Sequence, residues 1–144
     1  MKTKLNCVLL IDDDEPTNYI SKMVVDAVGC AETIEIATSG QMALQYLTST
    51  IESGRQETGF PKPDLIFLDI NMPAMNGWEF MEKYNALEDC QKGNIVIIML
   101  TTSLNPDDRW KSGKLPHISG FENKPLTQQK LDDILGRFFP KAIR

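Results

Sequence analysis

Polar side chains that could do chemistry follow several short apolar runs of this sequence. Asp69 follows the run 65–68, and the acidic run 12–14 follows the apolar residues that end at position 11. Thr101 follows a third run and Lys124 a fourth. An unpaired charge is costly to bury, so these groups are expected at the rim of a sheet rather than in its core. Asp69 alone would equally fit a turn; the matching groups after the other runs favour a shared site.

Several carboxylates on one rim need compensating positive charge. Two unit charges about 4 Å apart repel by roughly 4 kcal/mol at an effective dielectric constant of 20. Oxygen ligands with room for water suit Mg²⁺, and Lys124 can pair with Asp69 or with a bound phosphoryl group. A carboxylate can attack phosphorus to form an aspartyl phosphate. The metal, Lys124 and the Thr101 hydroxyl could then bind the three phosphoryl oxygens, as an Asp phosphorylation site requires.

Five predicted strands alternate with predicted helices, and this alternation determines where the polar groups lie in the fold. The strands are 6–11, 33–37, 65–68, 95–100 and 118–123, and the helices are 15–28, 39–51, 77–87, 106–111 and a last one that Thr127 caps and Pro140 ends. Right-handed crossovers then give a parallel five-stranded sheet with helices on both faces. The carboxyl ends of all strands share one rim, where such sheets bind ligands. The polar groups are therefore expected to converge.

The first predicted helix has clear boundaries and one apolar face. Asp14 is expected to cap it, Pro16 suits its first turn, and Gly29 ends it. Apolar residues at helical spacing predict a buried face. Its members are Ile20, Met23, Val24, Ala27 and Val28.

The composition of the chain limits the classes of protein to which it can belong. The 144 residues suggest one domain, with 42% hydrophobic and 24% charged residues. A net charge of −5 argues against nonspecific nucleic-acid binding. No apolar run is long enough to span a membrane, and the N-terminus lacks the pattern of a signal peptide. Cys7, Cys30 and Cys90 fit neither a disulfide framework nor a zinc site, so a cytoplasmic location is expected.

Four segments of the sequence resemble the signatures of the receiver domain of two-component response regulators. They are LLIDDDE, PDLIFLDINMP followed by MNG, IIMLTTS and GFENKPL. Each segment is a weak signal alone, but the four together are specific. They occur in the family's order and near its spacing, and the resemblance spans residues 7–139. The resemblance implies a flavodoxin-like α/β fold, with five parallel strands in the order 2-1-3-4-5 and helices on both faces. It also implies one stand-alone receiver domain over residues 1–144.

The resemblance implies a role for each acidic residue. Asp69 would be the phosphoacceptor and a ligand of the metal. Asp13 would bind Mg²⁺ directly, and Asp12 mainly through water. Asn71 would offer its backbone carbonyl oxygen to the same ion.

Further roles are implied for residues of the last two strands. Thr101 would be the switch hydroxyl and Lys124 the phosphate-binding lysine. Phe121 would be the aromatic residue that turns inward on activation, and a cis peptide bond would join Lys124 to Pro125. The sequence departs from the family at Thr102, where a small residue is common, so the loop after the fourth strand is expected to rearrange differently.

These roles imply a phosphorelay protein. A sensor histidine kinase or a histidine phosphotransfer protein would donate the phosphoryl group to Asp69, and phosphorylation would switch contacts with a downstream protein. The chain is not expected to be an enzyme, apart from intrinsic autodephosphorylation. No room for an output domain follows the last helix, unless the chain is a fragment. His117 is predicted to be a surface loop residue, and the long loop 49–62 a surface insertion or, alternatively, a partner contact.

Two other functions compete with this interpretation. A phosphatase of the haloacid dehalogenase type also uses an Asp nucleophile, Mg²⁺ and a Lys. Its DxDxT signature matches Asp12 and Asp14, but Pro16 stands at the Thr position and Thr17 comes one residue late. A receiver-like scaffold that binds partners without phosphorylation is the other alternative, and the presence of all the site residues argues against it.

Overall fold

The computed structural model describes residues 3–52, 61–87, 95–102, 107 and 117–143, with the backbone alone for residues 50–52. In this part of the chain five strands and four helices follow one another. They are β1 (Leu5–Ile11), α1 (Glu15–Val28), β2 (Ala31–Ala37), α2 (Gly40–Glu52), β3 (Leu65–Leu68), α3 (Gly77–Asn85), β4 (Val96–Thr101), β5 (Gly120–Asn123) and α4 (Gln128–Phe138). The predicted helix 106–111, apart from residue 107, and most of the loop 49–62 lie outside the described residues.

The five strands form one parallel sheet in the order β2-β1-β3-β4-β5, as the resemblance implied. The register pairs Ile11 with Leu68, Leu68 with Met99, and Thr101 with Asn123. The strands therefore end nearly level with one another. The polar residues at or just beyond those ends all stand along one edge.

Two apolar clusters cover the two faces of this sheet. Side chains of β1 alternate between them: Leu9 and Ile11 belong to one cluster, Val8 and Leu10 to the other. Helices α2 and α3 cover the first face, and α1 and α4 the second. The helix residues buried there are Ala43, Leu47, Phe80, Met81 and Tyr84 on the first face and Val25, Leu131, Ile134 and Leu135 on the second. Burial on both faces explains why the strands read as continuous apolar runs.

The predicted inward face of α1 is wrong for Ile20, Met23 and Ala27, whereas Val24 and Val28 do pack against the second apolar cluster. Ile20 and Met23 are 44% and 54% exposed, Ala27 is exposed, and Val24 and Val28 are only half-buried. The side chains that α1 buries are Asn18, Ser21 and Val25. A hydrogen bond at the start of the helix accounts for this rotation: the Asn18 amide donates to the main-chain carbonyl of Asp12, six residues earlier, at 2.8 Å. A buried, satisfied amide thus sets the rotation of the helix and turns apolar residues outward.

The other boundaries agree with the predictions to within a few residues. Asp14 caps α1, and Gly29 ends it in the left-handed conformation with φ of 73°. Thr127 caps α4. Among the described residues no helix is both long and apolar enough to cross a bilayer.

Candidate functional site

The end of β1 presents two carboxylates of different exposure. Asp12 is buried, and its backbone N–H donates to the carbonyl of Ala37 at 3.1 Å. Its carboxylate accepts a hydrogen bond from the backbone N–H of Asp14 at 2.9 Å. Asp13 is exposed. The Asp14 carboxylate accepts from the backbone N–H of Thr17 at 3.1 Å, so its predicted role as a helix cap is confirmed.

Asp69 is held at the end of β3 by its own backbone. Its N–H donates to the carbonyl of Ile11 at 2.9 Å, which ties it to the end of β1. Helix α3 begins directly against it: the N–H of Gly77 donates to the carbonyl of Ile70 at 2.7 Å. A Cβ atom at Gly77 would lie 2.6 Å from the carbonyl oxygen of Asp69, so only glycine allows this approach.

The loop between Asp69 and α3 is fixed at several points. Asn76 caps α3, and its side chain and that of Glu79 exchange hydrogen bonds with each other's backbone N–H groups at 2.9 and 3.0 Å. Met75 packs against the first residue of α2, where a Cβ atom on Gly40 would lie 2.6 Å from its sulfur. Asn71 is exposed in this loop, and its backbone N–H donates to the Asp69 carboxylate.

Lys124 joins the two buried carboxylates. Its backbone N–H donates to the carbonyl of Thr101 at 2.8 Å, which anchors the turn after β5 to the end of β4. Its ammonium nitrogen lies 2.6 Å from a carboxylate oxygen of Asp12 and 3.2 Å from one of Asp69. The peptide bond from Lys124 to Pro125 is cis, as the resemblance implied.

The shared ammonium does not fully offset the burial of Asp69 and its repulsion by Asp12. Burial, reinforced by the negative charge of Asp12, raises the pKa of Asp69, and Lys124 opposes this. Burial acts to lower the pKa of Lys124, but its hydrogen bond to Asp12 and the charges of Asp69 and Asp12 raise it above its usual value. The charged form of Asp69 is therefore disfavoured in this buried site, and a bound cation would stabilise it.

The chemistry of the donors fits a hard divalent cation. Asp12, Asp13 and Asp69 each offer a carboxylate oxygen, and these oxygens lie within 4.8 Å of one another. An all-oxygen set on an open rim, with one exposed carboxylate, suits Mg²⁺, which keeps several waters when bound. Asn71 lies two residues beyond Asp69, and its carbonyl as a metal ligand stays a prediction.

The structure brings most of the predicted site residues together. Asp12, Asp13, Asp69 and Lys124 form one cluster, and Thr101 is fully buried at the end of the adjoining strand. Phe121 is half-buried against the apolar cluster of α2 and α3, and His117 is exposed with its ring edge against Tyr84.

Sequence reasoning missed two contributors to the site. Asn18 supports the main chain of Asp12 from inside, and Lys130 binds the backbone on either side of Lys124. A signal for Asn18 existed, because positions 14, 18 and 21 share one side of a helix with 3.6 residues per turn. No sequence signal distinguished Lys130 from a solvated lysine.

A family model identifies the family to which this fold belongs. The model of the response regulator receiver domain matches residues 8–136. The chain belongs to this family. This receiver domain is therefore a component of two-component signalling, and the assignment decides against the phosphatase alternative.

Similar proteins share both sequence and fold with this receiver domain. Response regulator Rcp1 of Synechocystis is 28% identical over 117 residues, which are 81% of this chain and 75% of that protein. The crystal structure of a two-component response regulator from Cytophaga hutchinsonii has a TM-score of 0.84 at 30% identity, covering 96% of this chain and 99% of that one. The structure of the Mn²⁺-bound form of Rcp1 shows the same fold, with a TM-score of 0.67 at 24% identity over 90% of this chain and 88% of that one.

Proposed function

We propose that this receiver domain accepts a phosphoryl group on Asp69, with Mg²⁺ required, and relays the signal to a downstream protein. A sensor histidine kinase or a histidine phosphotransfer protein is the proposed donor. The observation that carries the proposal is the position of Lys124, whose ammonium lies between two buried carboxylates beside a third, exposed one. A structural ion pair would need only one carboxylate, whereas phosphoryl transfer needs a nucleophilic carboxylate, carboxylates that hold a cation, and an ammonium that binds the phosphoryl oxygens.

The transfer uses Asp69 as the nucleophile. As an oxygen of its carboxylate bonds to phosphorus, the P–N bond of the donor's phosphohistidine breaks, and its electron pair returns to the imidazole ring. Lys124 turns from Asp12 and Asp69 towards the new phosphoryl oxygens. Mg²⁺, held by Asp12, Asp13, Asp69 and the carbonyl of Asn71, would supply the charge neutralisation that this transfer requires.

A divalent cation at this site has independent support. Rcp1, a relative by sequence and by fold, has a solved Mn²⁺-bound form. Mg²⁺ and Mn²⁺ share a preference for carboxylate, carbonyl and water ligands. The acidic cluster of this chain offers that kind of donor.

The phosphoryl group adds nearly two negative charges at the rim, which is the basis of the proposed switch. The Thr101 hydroxyl moves to meet it, and Phe121, already half-buried against the core, fills the space left behind. The surface near β5 and α4 would change shape and thereby its affinity for the downstream protein. The proposal treats residues 1–144 as one receiver domain in the cytoplasm, with autodephosphorylation as its only reaction.

A mass measurement with a small-molecule donor tests the proposal. Incubation with acetyl phosphate and Mg²⁺ is expected to add one phosphoryl group to the wild type and none to Asp69→Asn. Asp14→Asn is the matched control, because it removes a neighbouring carboxylate outside the proposed ligand set and keeps a good helix cap. Equal labelling of wild type and Asp69→Asn would refute Asp69 as the acceptor. No labelling of the wild type by acetyl phosphate or by a phosphorylated phosphotransfer protein would favour the scaffold alternative.

A further inference from the structure

Lys130 on α4 binds the backbone on both sides of Lys124. Its ammonium donates to the carbonyl of Asn123 at 2.8 Å and to that of Pro125 at 3.1 Å. The side chain is half-buried, so it lies against the turn instead of extending into solvent. One cation on a helix thus binds the two carbonyl groups that flank the central lysine of the site.

The attachment of this turn determines the position of the Lys124 backbone, from which its side chain extends. The N–H of Lys124 is fixed to the carbonyl of Thr101, Asn123 pairs with Thr101 in the sheet, and Leu126 is buried just beyond the turn. The two bonds from Lys130 add a further attachment, at the carbonyl groups of Asn123 and Pro125. Hydrogen bonds from a charged donor are about twice as strong as neutral ones, so this attachment is firm.

The position of the Lys124 backbone matters because the ammonium group must contact the carboxylates of both Asp12 and Asp69. Its nitrogen lies 2.6 Å from an oxygen of Asp12 and 3.2 Å from one of Asp69, and a shift of the turn would change these two distances. Helix α4 is well placed as a rigid support. Thr127 caps it through the backbone N–H of Lys130 at 3.2 Å, and Leu131 is fully buried in the core.

We propose that Lys130 is a positioning residue, which holds the turn of Asn123 to Pro125 so that Lys124 can bind a phosphoryl group on Asp69. The inference rests on the proposed function for the part that Lys124 plays. It assigns Lys130 no contact with the phosphoryl group. Its effect must therefore pass through Lys124, and this dependence can be measured.

Binding of beryllofluoride, a phosphoryl mimic, at saturating Mg²⁺ tests the dependence by calorimetry. Lys130→Met keeps the aliphatic stem and removes the charge, and it is expected to weaken binding roughly tenfold. In a Lys124→Ala background the same substitution should cause no further loss. Lys130→Arg should restore most of the affinity, and Lys22→Met, at an exposed position of α1, should match the wild type. An equal loss in both backgrounds, or none in either, would overturn the proposal.

A second measurement reads the position of Lys124 without any phosphoryl mimic. In the Mg²⁺-free protein, the two Hε protons of Lys124 should give separate NMR signals, because the side chain is held in one place. Lys130→Met should merge them, while Lys22→Met should not; unchanged separation would refute the positioning role. Failure of the wild type to bind beryllofluoride would instead count against the proposed function, and the NMR result would still decide whether Lys130 positions Lys124.

Discussion

Asp12 and Asp69 are two carboxylates, each 5% exposed, that share one ammonium group. Such a set is poor for stability, since a buried charge is well compensated only by a full set of partners. It is well suited to binding a cation, since a divalent ion would offset the negative charge of both carboxylates. At the residue scale, the site therefore lowers the stability of the fold and in return provides a set of charges that can bind a cation.

Asp69→Asn is expected to stabilise the Mg²⁺-free protein at neutral pH by about 1 kcal/mol, because it removes one of two repelling charges. Burial and Asp12 raise the pKa of Asp69 in the folded state. The folded protein then keeps this proton longer than the unfolded chain, so the contribution of Asp69 to stability falls as pH rises from roughly 4 through the raised pKa. Urea unfolding of both proteins from pH 4 to pH 8 measures the difference in free energy of unfolding.

The advantage of Asp69→Asn should grow with pH over that range and shrink towards its acidic end. Asp14→Asn is the control, since hydrogen bonds from Thr17 lower the pKa of Asp14. A difference between Asp69→Asn and wild type that does not change with pH would contradict this account.

At the scale of elements, backbone contacts set the geometry of the site as much as side chains do. Helix α3 starts against the main chain of Asp69, and α1 is rotated by the hydrogen bond from Asn18 to Asp12. The rigidity of the rim thus comes from helix ends packed on strand ends. Substitutions at those contacts should act on the site without touching its charges.

Gly77→Ala is expected to lower the free energy of unfolding by about 1–3 kcal/mol, since the new methyl group would overlap the main chain of residues 69 and 70. The nearest atoms would be the carbonyl oxygen of Asp69 at 2.6 Å and the Cα of Ile70 at 2.9 Å, and neither can rotate away. Urea unfolding measures the loss.

Gly136→Ala provides the comparison for Gly77→Ala, because Gly136 is exposed within α4. There alanine should be neutral or should stabilise the helix by about 0.5–1 kcal/mol. Similar effects at the two glycines would show that the contact with Asp69 is unimportant.

At the scale of the whole molecule, the acidic rim links the stability of the fold to the binding of a cation. Three carboxylate oxygens lie within 4.8 Å of one another at this rim. They come together only when β1 and β3 are paired. The unfolded chain has no comparable site. A cation that binds there must therefore stabilise the folded state.

Mg²⁺ is expected to raise the free energy of unfolding by about 2.7 kcal/mol at a concentration 100 times its Kd. Asp13→Asn should reduce this gain strongly, because it removes the exposed carboxylate of the cluster. Asp14→Asn should keep it. Thermal unfolding over a series of Mg²⁺ concentrations, with NaCl at equal ionic strength as a reference, gives the result; a gain of the same size in Asp13→Asn would exclude that carboxylate as a ligand.

The sequence by itself determined the order of elements, the alternation of strands and helices, and the identity of the polar residues at the strand ends. These follow from local patterns: apolar runs such as 65–68, the cap at Asp14, and the four signatures that carry the family resemblance. The rule that parallel strands share one rim was then enough to bring Asp12, Asp69 and Lys124 together.

Only the tertiary structure decided which face of α1 turns inward and what holds Lys124. Apolar periodicity counts hydrophobic side chains, so it did not show that Asn18 is buried with a hydrogen bond to the carbonyl of Asp12, just before the helix, while Ile20 and Met23 stay exposed. Likewise, Lys130 in the sequence is one lysine among several, and its contact with two carbonyl groups exists only once α4 lies beside the turn after β5. The physical reason is the same in both cases: a polar side chain bonds main-chain carbonyl groups five to seven residues away, and a hydrophobic pattern does not record such bonds.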